Sequence, residues 1–176
     1  MPAVDAMDTL SVEDFDLAAT LGSGQVFHWH RAGGAFIGLV GDLPLVVSQP
    51  EPGRLCVSAG HSELARRYFA LDHDLNRIRR TLPKGDVHLR RALKCAPGLR
   101  IVRQPRWECL ATFITSSLKQ VAHIRQISLL MRRRFGAHVA TIGDVELFSY
   151  PTPRALADAG EPALRALRPE RVPVGV

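Results

Sequence analysis

The sequence predicts an α+β fold, a small antiparallel β-sheet domain followed by a partial α-helical bundle. Three observations carry that expectation. Short apolar runs separated by Gly- and Pro-containing links occur across residues 13–58, the pattern of hairpin-connected strands. From residue 61 the apolar side chains recur at helical intervals, so the period itself changes. The charge divides at the same place: residues 1–60 hold two basic and seven acidic side chains, a balance of −5, and residues 61–176 hold 21 and 10, a balance of +11.

Each element has a local reason. Residues 25–30 alternate apolar and polar side chains, 35–40 and 43–48 are short apolar runs, and 54–58 form a fourth candidate strand. On the first of these Phe27 and Trp29 share a face and are expected as core anchors, which leaves His28 and His30 facing solvent. Helices are expected over 62–69 with Ser62 as N-cap, over 74–79 capped by Asp72 or His73, and over 86–95. Pro105 suits the first turn of a helix reaching about residue 115. A further helix from Gln120 to Gly136 carries Ile124, Ile127, Leu130 and Met131 on one face. Thr152 can cap a short helix over 153–159, and 161–167 begins another. The expected division is a sheet domain over 1–60, a partial helical domain over 61–167, and a divergent tail over 168–176.

Composition bounds the function classes. A chain of 176 residues with 46% hydrophobic and 23% charged side chains can bury a core, so global disorder is not expected. No run of 18 apolar residues occurs, and the acidic N-terminus lacks a signal pattern; no membrane span and a cytoplasmic location are expected. Cys56, Cys95 and Cys109 are isolated in sequence, and without ligand spacing they support neither a disulfide framework nor a metal site. No cofactor is expected. Of the 23 basic residues 20 are Arg, whose planar guanidinium suits phosphate, so the basic portion points to an anionic partner.

Three segments carry motifs: Ser23-Gly-Gln-Val-Phe-His-Trp29, Tyr68-Phe-Ala-Leu-Asp-His-Asp-Leu75, and residues 98–136 with Arg103-Gln-Pro-Arg-Trp-Glu-Cys-Leu110 at their start. In this order they resemble the 8-oxoguanine DNA glycosylase family, over roughly residues 11–167. The resemblance implies base flipping out of duplex DNA, with oxidised guanine recognised by the backbone carbonyl at Gly24. 8-Oxoguanine has a hydrogen on N7 where guanine has a lone pair, and a residue without Cβ lets backbone approach closely. Without the resemblance, Gly24 reads as a turn residue opening a strand.

Ser117, Leu118, Lys119, Gln120 and His123 align with the loop and helix start that the family pushes into DNA. Leu118, Lys119 and Gln120 stand where an Asn triplet is usual, and His123 where Arg is usual. The resemblance implies Leu118 as an apolar wedge and Lys119 as a phosphate contact; an ordinary interhelix turn with Leu118 packed inward is the alternative. Arg132, Arg133 and Arg134 read as a solvated basic helix end, with direct DNA contact as the alternative.

In the family the amine nucleophile and catalytic carboxylate follow a helix that Leu164-Arg-Ala-Leu167 begins to match. Residues 168–176 then depart from it, with Pro169 and Pro173 opposing a helix. No catalytic residue is assigned, and a catalytically incomplete fragment is expected. The implied function is excision of oxidised purines from double-stranded DNA by a monomer, with abasic-site cleavage in the intact family. Alternatives are an alkylated-base DNA glycosylase relative, suggested by the changed Asn triplet, a non-enzymatic DNA-binding module, suggested by the basic portion, and an unstable fragment with exposed apolar helix faces.

Overall fold

The computed structural model describes residues 6–117 and 119–167. The element order is β1 (Met7–Ser11), α1 (Leu17–Gly22), β2 (His30–Ala32), β3 (Ala35–Val40), β4 (Leu43–Glu51), β5 (Arg54–Ser58), α2 (Ser62–Tyr68), α3 (Leu75–Thr81), α4 (Val87–Cys95), α5 (Arg106–Ser116), α6 (Val121–Phe135), β6 (His138–Ile142), β7 (Val145–Phe148) and α7 (Pro153–Arg165). The fold is α+β. Five strands form an antiparallel sheet in the order β1-β5-β4-β3-β2, and β6 and β7 make a separate hairpin.

Both faces of the central strands are covered, so their apolar residues run consecutively instead of alternating. In β4, Leu45 and Val47 join a cluster with Leu10, Leu55, Val57, Tyr68 and Phe69, while Val46 joins Ile37, Leu39 and Leu147 on the opposite face. The first face is closed by α1 and α2, the second by the β6–β7 hairpin. Trp29 is the centre of the first cluster: its ring lies 5.9 Å from that of Tyr68 and 6.1 Å from that of Phe69, and its Nε1 donates to Tyr68 Oη at 3.1 Å. The close approach of this indole requires Gly38 in β3, where a Cβ would lie 2.6 Å from the ring. The aromatic cluster joins Phe15 and Trp29, which pack on the sheet, to Tyr68 and Phe69 at the end of α2, so packing is unbroken across residue 60.

Several elements differ from the sequence expectation. Residues 25–29 pair with no strand, and only His30–Ala32 enters the sheet. Side chains from the helical part take this segment's carbonyls instead: Gln104 Nε2 donates to Gln25 O at 2.8 Å and Arg125 Nη2 to Trp29 O at 3.2 Å. Helix α1 forms inside the stretch that reads as strands because Asp16 caps it, accepting from Ala19 N. Asp74, not Asp72 or His73, caps α3 by accepting from Arg77 N. His61 occupies the N-cap of α2, and the Ser62 hydroxyl instead donates to Asp8 Oδ2 at 2.8 Å. The β6–β7 hairpin is a further element that the sequence pattern does not predict. Thr152 caps α7 as expected, and Gly160, at φ 73, interrupts it near the predicted break. The tail at 168–176 lies outside the described residues.

Candidate nucleic-acid interface

The turn Ser23-Gly24-Gln25 is held by its own side chains. Ser23 ends α1, its hydroxyl donating to Thr20 O at 2.8 Å. Gly24 has φ 84, a left-handed conformation costing an L-residue roughly 1–2 kcal/mol. Gln25 then reaches across to the chain entering α5: its Nε2 donates to Ser23 Oγ at 2.8 Å and to Arg100 O at 2.9 Å, and its Oε1 accepts from Val102 N at 3.0 Å. The three residues of the turn thus act differently, as a helix stop, a left-handed link and an anchor to residues 100–102. Arg100 is buried and donates to the carbonyls of Ala70, His73 and Glu13 at 2.7–3.0 Å, so the anchoring strip is itself fixed.

Gly24 faces the start of α6. A Cβ built on it would sit 3.9 Å from Val121 Cγ2, an ordinary contact, so the demand for glycine here comes from φ and not from crowding. Just before Val121, Gln120 occupies the N-cap in an extended conformation with no side-chain cap. The first N–H groups of α6 are therefore uncapped by a side chain, at the positive end of a 15-residue helix. Ser117, Lys119 and Gln120 are exposed, and His123 is half-buried in the first turn of α6. Leu118 lies outside the described residues. The structure thus brings Gly24 beside the loop and helix start that contain the other candidates, although nearly a hundred residues separate them in sequence.

A buried ionic cluster ties α5 and α6 to the segment that follows Gly24. Glu108 on α5, Arg132 on α6 and His28 are 5%, 3% and 5% exposed. Arg132 Nη2 donates to Glu108 Oε1, and Nη1 donates to Phe148 O at 3.1 Å. His28 Nε2 lies 2.7 Å from Leu39 O; a carbonyl only accepts, so this nitrogen carries the proton. Nδ1 lies 3.3 Å from Glu108 Oε1. Burial, and then the Arg132 charge, lower the His28 pKa from the usual 6.5 to about 3, keeping the ring neutral. Burial raises the Glu108 pKa against the opposing pull of Arg132. The expectation of a solvated His28 and a solvated Arg132 is therefore corrected, because α5 and α6 cover the face that strand alternation left open. The sequence did hold one signal: Arg132 lies eight residues after Ile124, a spacing that falls on the apolar stripe of α6.

Among the described residues no group of three or more His, Cys, Asp or Glu side chains could hold a metal ion. No described helix is long and apolar enough to cross a membrane. Lys84, Lys94 and Lys119 are all exposed, and none is assigned as a nucleophile.

This arrangement defines a mixed sheet-and-helix unit with a left-handed glycine set against a helix start. Residues 9–110, more than half of the chain, match the family described as 8-oxoguanine DNA glycosylase, N-terminal domain, and the chain belongs to that family. Among solved structures it is similar to MBOgg1 in complex with a low-affinity DNA ligand, at 25% identity and a TM-score of 0.81, with 92% of this chain and 59% of that one covered. It is similar in fold to the Clostridium acetobutylicum 8-oxoguanine glycosylase/lyase in complex with double-stranded DNA containing cytosine opposite 8-oxoguanine, at 22% identity and a TM-score of 0.79, covering 94% and 60%. The 3-methyladenine DNA glycosylase of Archaeoglobus fulgidus shares the fold at 16% identity and a TM-score of 0.66, covering 92% and 61%. The chain spans about three fifths of the length of each.

Proposed function

We propose that this chain supplies the lesion-reading part of an 8-oxoguanine DNA glycosylase, binding double-stranded DNA and favouring an oxidised purine. The observation that carries the reading is Gly24 at φ 84 beside Val121, the first residue of α6. In this reading the Gly24 carbonyl accepts from the N7–H that distinguishes 8-oxoguanine from guanine. Lys119 and the uncapped α6 N-terminus meet backbone phosphate, and Ser117, Leu118, Gln120 and His123 line the gap left by the flipped base. Residues 1–60 and 61–167 are the two parts of the unit, acting as a monomer in the cytoplasm. Excision and strand cleavage need an amine and a carboxylate, roles given to no residue here.

The test is a fluorescence titration with matched duplexes carrying 8-oxoguanine or guanine opposite cytosine. The expected result is tighter binding of the lesion duplex, reduced towards equality by Gly24→Ala with the overall fold kept. Equal affinity of the unmodified chain for both duplexes overturns the reading. Preference for an alkylated duplex would favour the relative suggested by Leu118, Lys119 and Gln120 in place of the Asn triplet.

A further inference from the structure

Residues 75–95, spanning α3 and α4, hold seven basic side chains against one acid, Asp86. Their balance of +6 equals that of the whole chain, so everything else sums to zero. Asp86 is occupied as the α4 N-cap, accepting from Leu89 N at 2.9 Å. Arg79 pairs with Asp14 at 2.8 Å. The other six, Arg77, Arg80, Lys84, Arg90, Arg91 and Lys94, are exposed and enter no ion pair among the described residues.

Folding alone does not explain this concentration. Neither α3 nor α4 has a buried residue. Helix-dipole stabilisation reaches only Arg79, Arg80 and Lys94, in the last turns. Arg77 stands in the first turn of α3, where the dipole disfavours a cation. Arg77 with Arg80, Arg90 with Lys94, and Arg91 with Lys94 are like-charge neighbours at helical spacing, each of them unfavourable. An anionic partner offsets each of these unfavourable terms by adding attraction to the same cations.

We propose that α3 and α4 form a second DNA-contacting surface, one that grips backbone phosphates without reading bases and is separate from the Gly24–Val121 site. Arg predominates, as suits bidentate phosphate contact. A lipid surface fits less well: residues 75–95 contain no Phe, Tyr or Trp, and Ile78 and Val87 are the exposed large apolar residues there, too few for an interfacial face. The inference rests on DNA as the partner proposed above, not on lesion recognition.

The test measures the full chain's affinity for a short duplex between about 50 and 200 mM salt. Arg90→Gln, Arg91→Gln and Lys94→Gln together keep good helix formers on an exposed face, so the melting curve should be unchanged. The slope of log affinity against log salt should fall by about 2–3, equally for damaged and undamaged duplexes. Arg77→Gln with Arg80→Gln, on the other helix, should lower it by about 2. Unchanged slopes in both variants overturn the proposal. So does a defect confined to phosphatidylserine vesicles with duplex binding intact, or a wild-type chain that binds no duplex at low salt. Falling slopes without lesion preference would leave this surface standing and defeat the recognition reading; lesion preference with unchanged slopes would do the reverse.

Discussion

At the scale of single residues, the charges that matter most to the fold are those with least access to water. Glu108 and Arg132 lose their hydration on folding and regain part of it from each other and, for Arg132, from the Phe148 carbonyl. The compensation is incomplete, since Arg132 Nε has no hydrogen-bond partner among the described residues. Removing one charge leaves the other buried and alone, so Arg132→Leu or Glu108→Leu should each destabilise by about 3–5 kcal/mol. Replacing both by apolar residues removes the desolvation cost along with the attraction, and the double variant should cost less than either single one. Denaturant unfolding of the three variants measures this directly; small additive losses would show that the pair contributes little.

At the scale of elements, the Ser23–Gln25 turn depends on one side chain. Gln25→Ala removes three hydrogen bonds, each worth about 0.5–1.5 kcal/mol. It should lower stability by about 2–4 kcal/mol and release Gly24 from its place against α6. A thermal melt should show the loss, and the affinity ratio between lesion and undamaged duplexes should fall with it; an unchanged ratio would mean that Gly24 is placed by something else. Elements with local instructions were legible in the sequence. Helices α4 and α5 follow Asp86 and Pro105, and strands β3, β4 and β5 are apolar runs between turns. Strand β1 escaped because only Leu10 of its five residues is buried, leaving a mostly polar pattern at a sheet edge. Residues 25–29 alternate like a strand, yet the partners for their carbonyls come from Gln104 and Arg125, which no local pattern reveals. Gly24 and the 117–123 candidates came from motif resemblance. Their adjacency through Val121, and the buried role of His28, are products of tertiary packing.

At the scale of the whole molecule, the same cluster makes stability depend on pH. His28 has a folded pKa of about 3 against its usual 6.5, lowered first by burial and then by Arg132. Between those values the unfolded chain holds a proton that the native ring refuses. Unfolding therefore takes up protons, and stability rises with pH by up to about 1.4 kcal/mol per unit. This contribution is complete above the unfolded pKa and is lost as pH falls through the window towards about 3. His30, lowered by burial and by Arg125, acts in the same direction. Glu108 acts oppositely: its folded pKa is raised from 4.5 by burial, so within its own window the native state binds the extra proton and stability declines with pH. Comparing His28→Gln with the wild type separates these terms, because the variant keeps Glu108 and Arg132. The wild-type melting temperature should fall more steeply than the variant's as pH is lowered through mildly acidic values. Equal slopes would mean that His28 titrates normally in the folded chain. Because His28 joins the segment following Gly24 to α5 and α6, acid should loosen that junction, and lesion preference should decline with pH before the chain unfolds globally.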